Sequence, residues 1–153
     1  MLFRSYKRYL KKQAAGFSLI ELIIVTAIIG IIAAIAVPNL LTARRTAQEA
    51  SAIAMVKSLV KAEGMYFSSH GNQSTYGTLT ELVNRNCIDS SLLTDARNYY
   101  TFQVNLSTPI TYSINATPDA GLASQMRYFY GDETGVIRQA TGTTATIASP
   151  PIN

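Results

Sequence analysis

The chain has 153 residues, 48% of them hydrophobic and 14% charged, with a formal net charge of +4. That length allows one small folded unit with a modest core. Cys87 and His70 are the only residues of their kinds, which excludes an intrachain disulfide, a thiolate and imidazole metal cluster and a multi-histidine site.

The positive charge is concentrated at the start. Arg4, Lys7, Arg8, Lys11 and Lys12 all precede Gly16, leaving eight basic residues against nine acidic ones in the rest of the chain. The basic balance therefore belongs to a leader segment, residues 1–16, and not to a nucleic-acid-binding body; no specific nucleic acid is expected as a partner. The next segment, 17–37, is an apolar run interrupted only by Ser18, Glu21 and Thr26. As a helix it would be about 31 Å long, the thickness of a bilayer hydrocarbon core. A cationic stretch directly before such a span keeps the N-terminus cytoplasmic and sends everything after it across the membrane.

From Pro38 to about Phe67 the pattern becomes helical with a polar face. Leu40, Leu41, Ala47, Ile53, Val56, Leu59, Val60 and Phe67 alternate with Arg44, Arg45, Gln48, Glu49, Lys57 and Lys61. Pro38 lacks the amide proton and crowds the carbonyl of Ala34, so it kinks the helix and lets it resume. Together the two parts predict a rod of about fifty residues, on the order of 75 Å. A domain of this size cannot bury such a rod on all sides, so its first half needs lipid or other copies of itself.

Ser68-Ser69-His70-Gly71-Asn72 is a turn cluster that ends the rod, with His70 as a surface turn residue. Thr78-Leu79-Thr80-Glu81 has capping-box spacing and predicts a short helix from about Leu79 to Asn84. Tyr99 to Leu106 alternates as a strand with Tyr100, Phe102, Val104 and Leu106 inward, and Ile110 to Asn115 repeats the pattern after a Ser107-Thr108-Pro109 connection. Met126 to Tyr130 and Val136 to Gln139 form a second pair, with Gly135 able to take positive φ after the turn. Residues 141–153, rich in Thr, Ala and Pro, read as a flexible tail or an edge decoration. The expected class is α+β: a long N-terminal helix, transmembrane in its first half, packed on a small antiparallel sheet of three to four strands. Residues 68–153 supply the region between helix and sheet, the sheet itself and the tail.

The unbroken stretch Gly16-Phe17-Ser18-Leu19-Ile20-Glu21 through Val37-Pro38-Asn39 resembles the N-terminal signature of type IV pilins and type II secretion pseudopilins. It has Gly before an aromatic residue, Glu five residues into the mature chain, and Pro closing the apolar run. The resemblance implies a prepilin peptidase that cuts between Gly16 and Phe17 and N-methylates Phe17. It also implies an inner-membrane assembly platform, an assembly ATPase, and a homo-oligomeric helical filament at the cell surface. An ionised carboxylate in hydrocarbon costs roughly 2.5 to 3.5 kcal/mol on insertion scales, so Glu21 demands a partner or a proton. Cleavage would create an α-amine on Phe17, and the resemblance implies that this amine meets the equivalent Glu of a neighbouring subunit. Gly30 and Pro38 bracket a stretch that either unwinds on assembly, as the resemblance implies, or is an ordinary membrane helix with a kinking proline.

Three rivals accompany this reading. Ala34-Ile35-Ala36 offers a secretory cleavage pattern, but the apolar stretch exceeds a usual signal core and contains a carboxylate. Within the family, the chain also reads as a pseudopilin of a secretion or DNA-uptake machine. Outside the family, the alternative is a membrane-anchored periplasmic binding module that never polymerises. No nucleophile, base and orienting group can be proposed together, so neither an enzyme nor a cofactor is expected. The absent second cysteine departs from the disulfide-closed C-terminal loop of many pilins, and Cys87 reads as a small buried hydrophobe. Asn72, Asn105 and Asn115 head short glycosylation-like patterns. Asp119, Asp132 and Glu133 lack the spacing of a calcium loop, and the tyrosines read as core and strand-pair residues.

Overall fold

A computed structural model of the protein describes residues 16–93 and 99–152. The basic leader, apart from Gly16, lies outside the described residues. The chain divides into two compact units, the first ending at Leu40 and the second beginning at Leu41.

One helix, α1, runs from Leu19 to Ser69 and contains Pro38. Within the first unit its residues are exposed throughout. Within the second unit it turns one stripe inward: Ala52, Val56, Leu59, Ala62, Glu63 and Tyr66 are buried, at steps of three and four residues. Val56 and Leu59 are fully buried as expected, whereas Ile53 and Val60 are only partly so, because the stripe is centred on Ala52 and Ala62.

The short helix α2 spans Leu79–Asn84 with the capping box its sequence announced. Thr78 Oγ1 accepts from the Glu81 amide, and the Glu81 carboxylate accepts from the Thr78 amide at 2.7 Å. Those two bonds satisfy donors that a helix start otherwise leaves open. Leu82 is thereby held in the core. A 3-10 turn follows at Ser90–Leu93.

Four strands follow, β1 (Tyr100–Thr108), β2 (Thr111–Pro118), β3 (Arg127–Asp132) and β4 (Arg138–Thr141), in a sheet of order β1-β2-β3-β4, antiparallel throughout. Tyr100 pairs with Pro118 and Leu106 with Tyr112, and a register shift between Leu106 and Thr108 tightens the hairpin around Pro109 and Ile110. β2 extends three residues beyond Asn115 because Ala116 and Pro118 continue its buried period of two. The inward face of β1 fades along the strand. Tyr100 and Phe102 are buried, Val104 is partly so, and Leu106 is exposed. β4 begins two residues later than Val136, the start read from the sequence. Ile137 is instead a core residue whose carbonyl accepts from the Ile152 amide.

The helix and sheet come close at Gly131. A Cβ there would stand 2.9 Å from Cγ1 of Val56 and 3.4 Å from Cγ2 of Val60. Phe129, Ile114, Ala116, Tyr100 and Met126 complete the core from the sheet side. Burying each large apolar side chain contributes about 1.5 to 3 kcal/mol. The closing residues lie hydrogen-bonded along β4: the Gln139 amide donates to the Pro150 carbonyl, Arg138 bridges to Pro151, and Ala145 is buried.

Candidate functional site

The residues singled out by sequence lie in the first unit. Phe17, 90% exposed, precedes the first turn of α1. Ser18 caps that turn, its Oγ accepting from the Ile20 amide at 3.3 Å. Glu21 reaches back, and its Oε2 accepts from the Ser18 amide at 2.9 Å. Glu21 thus makes the same return bond as Glu81 does to Thr78, while the Ser18 hydroxyl takes the Ile20 amide instead of the Glu21 amide that a full capping box would use; the S-x-x-E spacing was legible in the sequence. The negative charge also sits where the helix dipole favours it.

The third polar side chain of the span is handled in the same local way. Thr26 Oγ1 stands 3.0 Å from the carbonyls of both Leu22 and Ile23. Each polar side chain in the apolar run therefore has a hydrogen bond within its own helix, which lowers the cost of an apolar surrounding. Around them Leu19, Ile20, Leu22, Ile23, Ile24 and the aliphatic residues up to Leu41 are exposed. The helix is long and apolar enough to cross a membrane, and none of its apolar window is buried. Gly30 and Pro38 lie further along the same helix, and a Cβ at Gly30 would meet nothing within 4 Å.

Two features of the second unit escaped the sequence. Glu49 on α1 grips Arg127 at the start of β3. Its Oε1 accepts from the Arg127 amide at 3.0 Å, while Oε2 accepts from Nε at 2.8 Å and Nη2 at 2.6 Å. The same guanidinium donates to Gln139 on β4 and lies 5.7 Å over the Phe129 ring, and Tyr100 Oη donates to the Arg127 carbonyl. The partners are 78 residues apart, so no local pattern announced them.

The second is Glu63, buried on the sheet-facing stripe of α1. Its Oε2 accepts from the Gly77 amide at 3.0 Å, and its Oε1 has no hydrogen-bond partner. Burial pushes its carboxyl up to about 7, the Gly77 hydrogen bond opposes this, and the Glu81 charge adds to it. A carboxylate at the step after Val56 and Leu59 on an apolar stripe was the available signal.

Other singled-out residues have structural surroundings. His70 stacks on Tyr66 with ring centroids 5.8 Å apart, and Tyr76 meets Tyr112 edge-on at 4.6 Å. Cys87 is half-buried, with its thiol 3.9 Å from the Arg85 carbonyl. Asp132 is buried at the end of β3, where its Oδ1 accepts from the amide and hydroxyl of Thr134. Among the described residues no three His, Cys, Asp or Glu side chains converge on a metal-sized space.

An uncovered apolar helix that begins in a capped acidic turn, with a four-stranded antiparallel sheet following in the chain, is consistent with a subunit anchored in a membrane by its N-terminal helix. Residues 11–37 match the family model described as the prokaryotic N-terminal methylation motif. The chain is 34% identical over 115 residues to the type IV wide pilus major component PilA4 of Thermus thermophilus, covering 72% of this chain and 87% of that protein. It is 43% identical over 61 residues to the type IV major pilin protein PilA of Myxococcus xanthus, covering 40% of this chain and 28% of that protein. No solved structure matches it significantly. The chain belongs to the type IV pilin and pseudopilin family, whose members are structural subunits and not enzymes.

Proposed function

We propose that the protein is a filament subunit of a type IV pilus. It waits in the inner membrane as a precursor with its basic leader in the cytoplasm and its second unit in the periplasm. Cleavage between Gly16 and Phe17 and N-methylation of Phe17 prepare it for assembly. The platform and ATPase machinery of the family then move it into a helical filament at the cell surface. The observation that carries this reading is the fully exposed apolar helix of the first unit. Water does not tolerate such a surface, and lipid or neighbouring copies are the two environments that cover it. In the filament the Phe17 amine of one subunit would face Glu21 of the next. The local cap engages Oε2 of Glu21, and Oε1 has no hydrogen bond among the described residues. An ionised carboxylate accepts several hydrogen bonds, so cap and intersubunit pair are compatible.

Both relatives carry names of major pilus components, which favours a pilus filament over a pseudopilin of a secretion or DNA-uptake machine. Intact-mass measurement of protein sheared from cells tests the first step. A methylated chain starting at Phe17 is expected. An unprocessed leader, or a start at Val37, would refute the reading.

A further inference from the structure

Glu63 is 0% exposed and stands at the point where the connection from α1 to α2 folds back against the helix. Its bond to the Gly77 amide spans 14 residues and closes that connection. Gly77 fits because the Tyr66 ring lies directly beneath it. A Cβ there would stand 3.1 Å from three ring atoms. The backbone of the connection is itself unfavourable, since Asn72 and Gln73 have φ of 51° and 57°. Residues other than glycine and asparagine visit that region rarely, and the connection is held by backbone bonds from Gln73 to the Phe67 carbonyl and from Tyr76 to the Pro109 carbonyl, with Glu63 adding a side-chain hold at Gly77.

The surroundings are poorly suited to a charge. On α1, Tyr66 lies on the same buried stripe, with the exposed His70 stacked on it. From the connection comes Tyr76, and from α2 comes Glu81, a like charge whose own carboxyl is held low by the Thr78 amide and hydroxyl. From β2 comes Tyr112, whose phenol is pushed up by burial first and then by the Glu63 charge; Asp132 and Glu133 act on the same phenol. No lysine or arginine side chain among the described residues pairs with Glu63.

We propose that Glu63 is a proton-operated latch: while its carboxyl is protonated, residues 70–78 stay closed on α1, and its ionisation releases them. A neutral carboxyl still accepts from the Gly77 amide through Oε2 and carries no charge on the unpartnered Oε1. An ionised one leaves a buried charge with a single donor and no cation, and hydration through the opened segment relieves it. The proton passes to solvent as the segment opens. The closed carboxyl titrates near 7, and the opened one returns to the ordinary 4.5. Closure is therefore strongest below pH 4.5 and weakens as pH rises through 7. The opening constant should grow by a factor on the order of 10² across that window.

Amide hydrogen exchange on the full-length protein in detergent micelles, between pH 5 and pH 8 and normalised for intrinsic exchange, reads this directly. Protection of the Gly77 amide should fall by a factor on the order of 10², while that of Ile114 in β2 stays level. Glu63→Gln keeps an uncharged acceptor and should abolish the pH dependence. Constant Gly77 protection in the wild type would overturn the proposal, as would equal loss at Ile114. Should Glu63→Gln not fold, carbon-13 titration of the wild-type Glu63 carboxyl decides: a midpoint near 7 supports the latch, and one near 4.5 refutes it.

Discussion

The Glu49 and Arg127 pair ties α1 to the sheet, and its contribution is open to measurement. Glu49→Ala removes the acceptor of three N–H groups, one of them the Arg127 backbone amide. The side chains are 39% exposed for Arg127 and 12% for Glu49, so the pair is only partly withdrawn from water. Breaking a fully buried pair costs about 3 to 5 kcal/mol, and exposed pairs contribute about 0 to 1. The guanidinium can rehydrate after Glu49→Ala, but the backbone amide of the first β3 residue loses its partner, a further loss of about 1 kcal/mol or more. A destabilisation of about 2 to 3 kcal/mol follows. The assay is urea unfolding of the full chain in micelles, followed by near-ultraviolet circular dichroism of the core tyrosines. The midpoint should fall with the slope unchanged. In a double-mutant cycle with Arg127→Ala, the coupling should be about 1 kcal/mol or more, since neither substitution adds a new contact. Arg127→Lys should recover little of it, because one ammonium cannot reproduce the fork that also reaches Gln139. A coupling of about 0.3 kcal/mol or less would show that the pair is decorative and that the core alone docks the helix.

Gly77→Ala should destabilise the connection by about 1 to 3 kcal/mol by pressing a methyl onto the Tyr66 ring, and Tyr66→Ala in the same chain should relieve that pressure; urea midpoints of the single and double variants test this. Glu21→Ala should leave membrane residence intact and abolish sheared surface fibres, read by immunoblot of sheared and membrane fractions. Normal fibre yield would sink the pairing mechanism.

The fold was legible where pattern and period are local. Thr78-x-x-Glu81 announced α2 to the residue, and the period of two in Tyr112 and Ile114 announced β2. Strand ends were less legible, because they depend on what lies across the core. Val136 has strand propensity, yet Ile137 turns inward and gives its carbonyl to Ile152, which delays β4 to Arg138. In the sequence the amphipathic half of α1 reads as apolar residues from Leu40 to Phe67 at helical spacing, opposite a polar face. The helix instead buries a narrow stripe, and it includes an acid, since Gly77 offers Glu63 a backbone donor there. Such a donor is visible only once residues 70–78 fold back. The Arg127 grip was out of reach for the same reason, as contact order and not spacing brings Glu49 to it.

Glu21 illustrates why a motif can be recognised while part of its physics is missed. Insertion cost alone asks for a counter-charge, and the chain offers no basic residue inside the span. The Ser18 amide supplies part of what the carboxylate needs, and the first turn of α1 supplies a favourable dipole. Those contributions let the monomer hold Glu21 at the start of its span without a counter-charge. They do not neutralise the charge, so the gain on meeting a cationic amine persists. The two roles separate by substitution. Ser18→Ala keeps the charge and the Ser18 position's backbone amide, and removes only the hydroxyl cap on Ile20, a loss of about 1 kcal/mol in one helix end. Glu21→Gln keeps an acceptor for that amide and removes the charge. If the carboxylate acts on assembly through charge, Glu21→Gln should lose fibres as Glu21→Ala does, while Ser18→Ala retains them. If it acts only as a cap, the order reverses: Glu21→Gln assembles, and the loss follows the hydrogen bonds of the first turn.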